Sequence, residues 1–395
     1  MKKTINMVLA GAASLFAVVA CSDWTSPEAN NYEPIGENGS MHNEDYYENL
    51  RAWKANRTYD EKGVANRPVS FMWFSDWSPT GSNMNTQMMG IPDSVDFISM
   101  WGNWKNLTPE GKEDLRKLQT IKGTKVLLCF IVDNIGAQMT PYKMTADNKY
   151  EIDGKVFENE KDAAAYYWGW YGGHPDPQYN DDAKMDGAIR KYARAIVDTV
   201  AKYGYNGFDY DLEPNYGHGG NIASYPERNY IFLDELSKYF GPKSGTDNLL
   251  CVDGEPDRLD PRCGEMISYF LLQAYNDGRV SSIDSRVGVL VNNYEGVLTP
   301  EKVVSMTVLN SNFESYGTTG GPNFQMRNGE VTFQLNAYAQ YTYIKKDENK
   351  EIRIGGIGAF RPVFDKKYVK YREAMKTLHS PLPEPEEDKP EENEQ

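Results

Sequence analysis

Tyr205-Asn206-Gly207-Phe208-Asp209-Tyr210-Asp211-Leu212-Glu213-Pro214 reads as a strand with carboxyls along one face. Side chains two apart in a strand share a face, so Asp209, Asp211 and Glu213 form one line, spaced about 6.5 Å along the chain. Phe208, Tyr210 and Leu212 form the other face, so the strand is covered rather than a solvated edge. Buried carboxyls without a use would be costly. Repulsion and burial raise at least one pKa in such a row and let protons be shared along it, with the end member kept as an acid. Glu213 is that end member, and Pro214 with the Gly-rich loop at 216–220 stops the strand there.

Outward from this strand, short apolar runs alternate with amphipathic stretches. The runs are 69–74, 95–101, 125–132, 205–213, 249–253, 269–275, 286–291 and 354–360. Each has strand length, and several lack polar alternation, as strands covered on both faces do. Between them stand helix signals. Thr108-Pro109-Glu110 and Thr299-Pro300-Glu301 each pair a cap with a proline in the first turn. The segment 224–240 gathers Phe232, Leu233, Leu236, Tyr239 and Phe240 on one face before Gly241, and 185–203 does the same with Ile189, Tyr192, Ala193, Ile196 and Val200. Eight strands alternating with helices through right-handed crossovers predict a (β/α)8 TIM barrel, with a doubly wound open sheet as the alternative.

A long insertion at 138–182 follows the third run, on what would be the barrel's catalytic face. It holds Asp153-Gly154 between strand-like residues, a hairpin signal, and then Tyr166, Tyr167, Trp168, Trp170 and Tyr171. These rings, Trp168 and Trp170 above all, are candidates for a substrate platform; the competing expectation is that they pack the insertion onto the barrel.

Composition narrows the classes. Apolar residues make up 40% and aromatics 13% of 395 residues, enough for a large core and an aromatic-lined cleft. A net charge of −15 opposes phosphate backbones and anionic membranes, so no nucleic-acid partner is expected. The four histidines, His42, His174, His218 and His379, lack the paired spacing of a zinc site, and no phosphate-cradling glycine loop occurs. No cofactor and no metal are expected.

At the start, Lys2-Lys3, an apolar stretch from Met7 to Ala20 and then Cys21 form a signal peptide too short to span a bilayer comfortably. Val18-Val19-Ala20-Cys21 resembles a bacterial lipobox, which predicts acylation of Cys21 and anchoring to the outer membrane, with the cell surface the expected face and the periplasm the alternative. The expected organisation is a lipoprotein signal at 1–20, a polar tether at 21–42, one catalytic domain at 43–379 and a disordered acidic tail at 380–395, as a monomer. Cys129 reads as a buried thiol, while Cys251 and Cys263 are left open between a disulfide and free thiols.

The carboxylate stretch resembles the signature of the family 18 glycoside hydrolases, the chitinases and endo-β-N-acetylglucosaminidases, which read Asp-Gly-x-Asp-x-Asp-x-Glu on the fourth barrel strand. One position departs: Asn206 replaces the first Asp, with parity opposite to the three acids. A second element, Gln273-Ala274-Tyr275, resembles the Gln-x-Tyr of the family's endoglycosidases. The resemblance implies retention assisted by the substrate's own 2-acetamido group. Glu213 would be the acid and base, and Asp211 would hold the acetamido group and stabilise the oxazolinium. Asp209 would exchange a proton with Asp211, while Gln273 and Tyr275 orient the acetamido group. The expected substrates are N-glycans or other GlcNAc-containing glycans, with cleavage in the chitobiose core. A chitinase is the alternative enzyme, and a surface glycan-binding lipoprotein the alternative outside enzymes. Chitinases commonly floor the subsite with a Trp from the last strand; here that run ends Gly358-Ala359-Phe360-Arg361, so Phe360 is the candidate floor.

Overall fold

The computed structural model describes residues 42–105, 107–170, 182–345 and 350–380. Eight parallel strands close into a barrel: β1 Val69–Phe74, β2 Phe97–Trp101, β3 Lys125–Ile131, β4 Gly207–Leu212, β5 Leu249–Gly254, β6 Tyr269–Leu272, β7 Thr307–Asn312 and β8 Gly356–Phe360. Closure excludes the open sheet, because β8 pairs in register with β1, from Val69↔Gly356 to Trp73↔Phe360, as well as with β7.

Both faces of these strands are buried, which is why their sequences run apolar without alternation. Inside the barrel, Val69, Phe71 and Trp73 of β1 meet Phe97, Leu127, Cys129, Cys251, Tyr269, Leu271 and Val308. The other face packs against helices: Phe208 and Tyr210 of β4 lie edge-on to Phe232, which stacks on Tyr192. The interior is tight enough to demand Gly358, where a Cβ would fall 2.0 Å from Asn310 Oδ1.

Seven of the eight expected strands form. The run 286–291 does not; it lies inside the helix Val280–Asn293, and the seventh strand is Thr307–Asn312. The helix buries Val280, Ile283, Val287 and Leu290, a helical period, while Val289 is 49% exposed. The two capped helices form as Pro109–Lys117 and Pro300–Met306, with the Thr108 and Thr299 side chains accepting from Gly111 and Lys302. The segment 224–240 contributes Pro226–Leu236, with Phe232, Leu233, Leu236 and Phe240 buried but Tyr239 turned out.

Within the insertion, Asp153 and Gly154 turn a hairpin with positive φ at both positions, and Lys143–Met144 adds a third short strand. The helix Glu160–Trp168 follows, capped by Asn159. Among the described residues no helix is long and apolar enough to cross a membrane. The expected signal, Cys21, nearly all of the tether, His174, Tyr171 and most of the tail lie outside the described residues.

Candidate active site

β4 delivers the carboxylate row as its alternation requires. Asp209 and Asp211 point into the barrel at 0% and 1% exposure, and Glu213 stands half-buried at the C-terminal rim. Beside Glu213, Gly254 has φ +81°, and a Cβ there would come within 3.0 Å of Glu213 Cγ and 2.4 Å of the Leu212 carbonyl. Asn206, the departure from the family signature, sits at the far end of the strand. Its Oδ1 accepts from the Val126 backbone (3.0 Å) and Gln119 Nε2 (2.7 Å), a purely structural pairing.

The row has a fourth member that the motif does not contain. Asp253 on β5 is fully buried and lies in register with Asp211. Oxygens of Asp211, Glu213 and Asp253 come within 4.8 Å of one another, and so do the Cys129 thiol and oxygens of Asp209 and Asp253. Asp209 is supported from below by Ser99 Oγ, which donates to its Oδ2 at 2.6 Å. Gln273 Nε2 donates to Asp253 Oδ1 at 2.8 Å. Burial pushes Asp209 up to about 6, against hydrogen bonds from Ser99, Cys129, Asp253 and Trp73 that draw it down. Burial also drives Asp211 well above the usual carboxylate range, with Glu213 and Asp209 repelling its charge. Asp253 rises for the same reasons, burial first and then Asp211 and Asp209. Such a cluster shares protons rather than carrying full charge. By spacing alone, either close group, Asp211 with Glu213 and Asp253 or Cys129 with Asp209 and Asp253, could take a metal ion, although acidic groups so placed are common without one.

Gln273 and Tyr275 follow β6, whose ladder ends at Leu272, and both are half-buried beside the row. Burial raises the Tyr275 hydroxyl pKa, and Asp253, Asp211 and Glu213 add to the effect. The Tyr275 ring lies 5.9 Å from Phe360 and 6.4 Å from Trp73, and Phe360 lies 5.6 Å from Trp101. Phe360 therefore belongs to an aromatic wall at the mouth together with Trp101, with Trp73 buried behind it; sequence reasoning singled out neither tryptophan. Ser99 and Asp253 were missed as well. Each is a polar residue at even spacing in an otherwise apolar strand, the same signal that marked β4 but without its repetition.

Trp168 and Trp170 are 4% and 1% exposed, which favours the competing expectation that they pack the insertion onto the barrel. Trp168 donates to Thr140 Oγ1 at 3.0 Å and meets Tyr192 edge-on at 5.2 Å, wedging the insertion against the helix Asp182–Tyr203. Cys251 and Cys263 are both free and buried, as is Cys129, which settles the open question in favour of thiols. A cleft at the opposite end of the barrel is lined by Arg57, Arg67, Asp96 and Tyr269. Two of its arginines are engaged, Arg67 with Asp96 at 2.7 Å and Arg57 with the Ser305 carbonyl at 2.6 Å.

A closed (β/α)8 barrel with a row of buried carboxyls leading to Glu213 under an aromatic mouth is built for acid–base chemistry on a substrate that enters there. The family model described as glycoside hydrolase family 18, BT1044-like, matches residues 25–381, and the chain belongs to that family. A glutamate-to-glutamine variant of BT1044 in its selenomethionine form is 26% identical, with a TM-score of 0.67 over 85% of this chain and 92% of that one. The endo-β-N-acetylglucosaminidase from Cordyceps militaris shares the fold. Its aspartate-to-asparagine, glutamate-to-glutamine double variant in complex with fucosyl-N-acetylglucosamine-Asn is 14% identical, with a TM-score of 0.54 over 86% of this chain and 98% of that one. No curated protein matches the sequence.

Proposed function

We propose that this glycoside hydrolase is an endo-β-N-acetylglucosaminidase that cuts the chitobiose core of N-glycans by substrate-assisted retention. The observation that carries the reading is the meeting of Glu213, Asp211 and Tyr275 at one aromatic-walled mouth, with Gln273 tied in through Asp253. Glu213, the member of the row at the rim, protonates the glycosidic oxygen and then serves as base for water. The 2-acetamido oxygen of the substrate attacks the anomeric carbon, the aglycone leaves, and a cyclic oxazolinium forms. Asp211, buried beside Glu213, accepts the acetamido N–H and balances the positive charge. Asp209 lies below, and its proton exchange with Asp211 lets that charge appear and disappear. Phe360 and Trp101, both half-buried, offer the apolar surface against which a pyranose face packs.

The preference for an N-glycan core over chitin rests on Gln273 and Tyr275 and on Phe360 standing where chitinases commonly carry a Trp. It is in keeping with the ligand of the Cordyceps militaris double variant, whose two substituted positions are two residues apart, as Asp211 and Glu213 are. The protein is further proposed to be a monomer tethered through Cys21 to the bacterial outer membrane, facing the cell surface. Cys21→Ala is expected to move it from the detergent phase to the soluble fraction or to stall processing; unchanged detergent partitioning would contradict the anchor.

The mechanism is tested with Asp211→Asn and a preformed glycan oxazoline. Hydrolysis of intact substrate is expected to fall, while the oxazoline is still transferred to an acceptor GlcNAc with little rehydrolysis. A covalent sugar adduct on Asp211 or Asp209 of the wild type would instead identify an enzymic nucleophile.

A further inference from the structure

We propose that Asp253 is a positioning residue that keeps a proton of the carboxylate cluster on β5, donating it as a hydrogen bond to Asp211 so that Asp211 can be ionised inside the barrel. This deepens the proposed function and rests on it. Two observations carry it. Asp253 is, among the described residues, the one member common to both close groups, the deep one with Asp209 and Cys129 and the upper one with Asp211 and Glu213. In addition, Asp209 Oδ1 and Asp211 Oδ1 are shut off from water and find no donor among the groups whose protons are fixed. Leaving such an oxygen without a donor is costly, the more so when it is charged, so a carboxyl proton within reach is the natural donor.

The geometry favours Asp253 as its holder. Its Oδ1 accepts from Gln273, which leaves the other oxygen facing the cluster, with Cys129 Sγ at 3.8 Å. Full burial among the carboxyls of β4 opposes its ionisation, and its pKa rises accordingly. The groups facing it are Cys129 from β3, Asp209, Asp211 and Glu213 from β4, Cys251 on its own strand, and Gln273 and Tyr275 after β6. No cation is among them. No bond to Asp253 changes in the reaction: its proton stays in place, while Asp209 exchanges its own with Asp211.

Asp253→Asn keeps an N–H donor toward Asp211 and an oxygen for Gln273, and so imitates the protonated residue. Asp253→Leu removes both. Infrared difference spectra of the free enzyme at neutral pH, wild type against Asp253→Asn, are expected to lose a carboxylic-acid carbonyl band. Loss of a carboxylate band instead would overturn the proposal. That measurement needs no substrate, so it stands even if the proposed glycan activity fails. On a substrate that the wild type hydrolyses, Asp253→Asn is expected to keep kcat within about tenfold with its acid limb in place, whereas Asp253→Leu loses about a hundredfold or more. The acid limb of the Leu variant moves to higher pH, because Asp211 loses a bond to its ionised form. If the Leu variant does not fold, the Asn variant and the spectra decide alone. Equal damage from Asn and Leu would overturn the proposal. So would wild-type activity lost on chelation and restored by a divalent cation, since Asp253 would then be a ligand.

Discussion

At the scale of single residues, the division of labour in the row follows from burial. Asp209 and Asp211 are sealed and shifted upward, while Glu213 reaches the rim where a substrate can meet it. Glu213→Gln keeps the shape and removes the proton, so turnover is expected to fall about 10²- to 10⁴-fold with an unchanged melting temperature, read from kinetics and calorimetry side by side. Ser99 acts one step away. Its hydroxyl stabilises the ionised form of Asp209, so Ser99→Ala is expected to move the Asp209 titration further above about 6, and carboxyl-labelled NMR would show it. A shift downward would contradict that role. The three acids of β4 were legible because alternation repeats within one strand. Asp253 and Ser99 were not, because a single polar residue in an apolar strand gives no period, and only closure of the barrel places them beside the row.

At the scale of elements, the misread run 286–291 shows how local composition and tertiary packing compete. Val287, Val289 and Val291 favour a strand by branching, yet the residues that reach the core are Val280, Ile283, Val287 and Leu290. The real seventh strand, Thr307–Asn312, was hidden by its Asn and Ser residues, which are buried on both faces: Asn310, on the inner face with Val308, donates to the Leu272 carbonyl at 3.1 Å, and Ser311, on the helix side with Leu309, bonds Gln334 at 2.6 Å. The helix predicts a contrast measurable by denaturant midpoint. Val287→Asp is expected to cost about 3 kcal/mol or more, and Val289→Asp no more than about 0.5 kcal/mol; a strand would make both costly or reverse them. The same reasoning revises the insertion. Trp168→Ala is expected to destabilise by about 3–5 kcal/mol, with equal losses on large glycans and small chromogenic substrates. A selective loss on large glycans would restore the platform.

For the whole molecule, burial of titratable groups sets opposing slopes of stability with pH. His379, at the end of the helix Val369–His379, has Nε2 shut off with no partner among the described residues, and burial pushes its pKa down from 6.5 to about 4. Its unfolded form binds a proton that the folded form refuses, so its contribution is full above pH 6.5 and is lost as pH falls toward 4. Asp365, raised from 3.8 to about 6, works the other way, and its contribution is lost as pH rises through that window. The melting-temperature advantage of the wild type over His379→Leu is therefore expected to shrink as pH falls from 6.5 to 4; a constant difference would contradict the assignment.

Family membership makes the chain a glycoside hydrolase, and the central claim is that it cuts between the two core GlcNAc residues of an N-glycan. Mass spectrometry of a defined N-glycoprotein incubated with the enzyme tests this most directly. The expected result is a protein that retains one GlcNAc, or fucosylated GlcNAc, on its asparagine, with the remaining glycan released intact, and no change with Glu213→Gln. Glycan bound but not released, or release of short GlcNAc oligomers from chitin with the glycoprotein untouched, would contradict it.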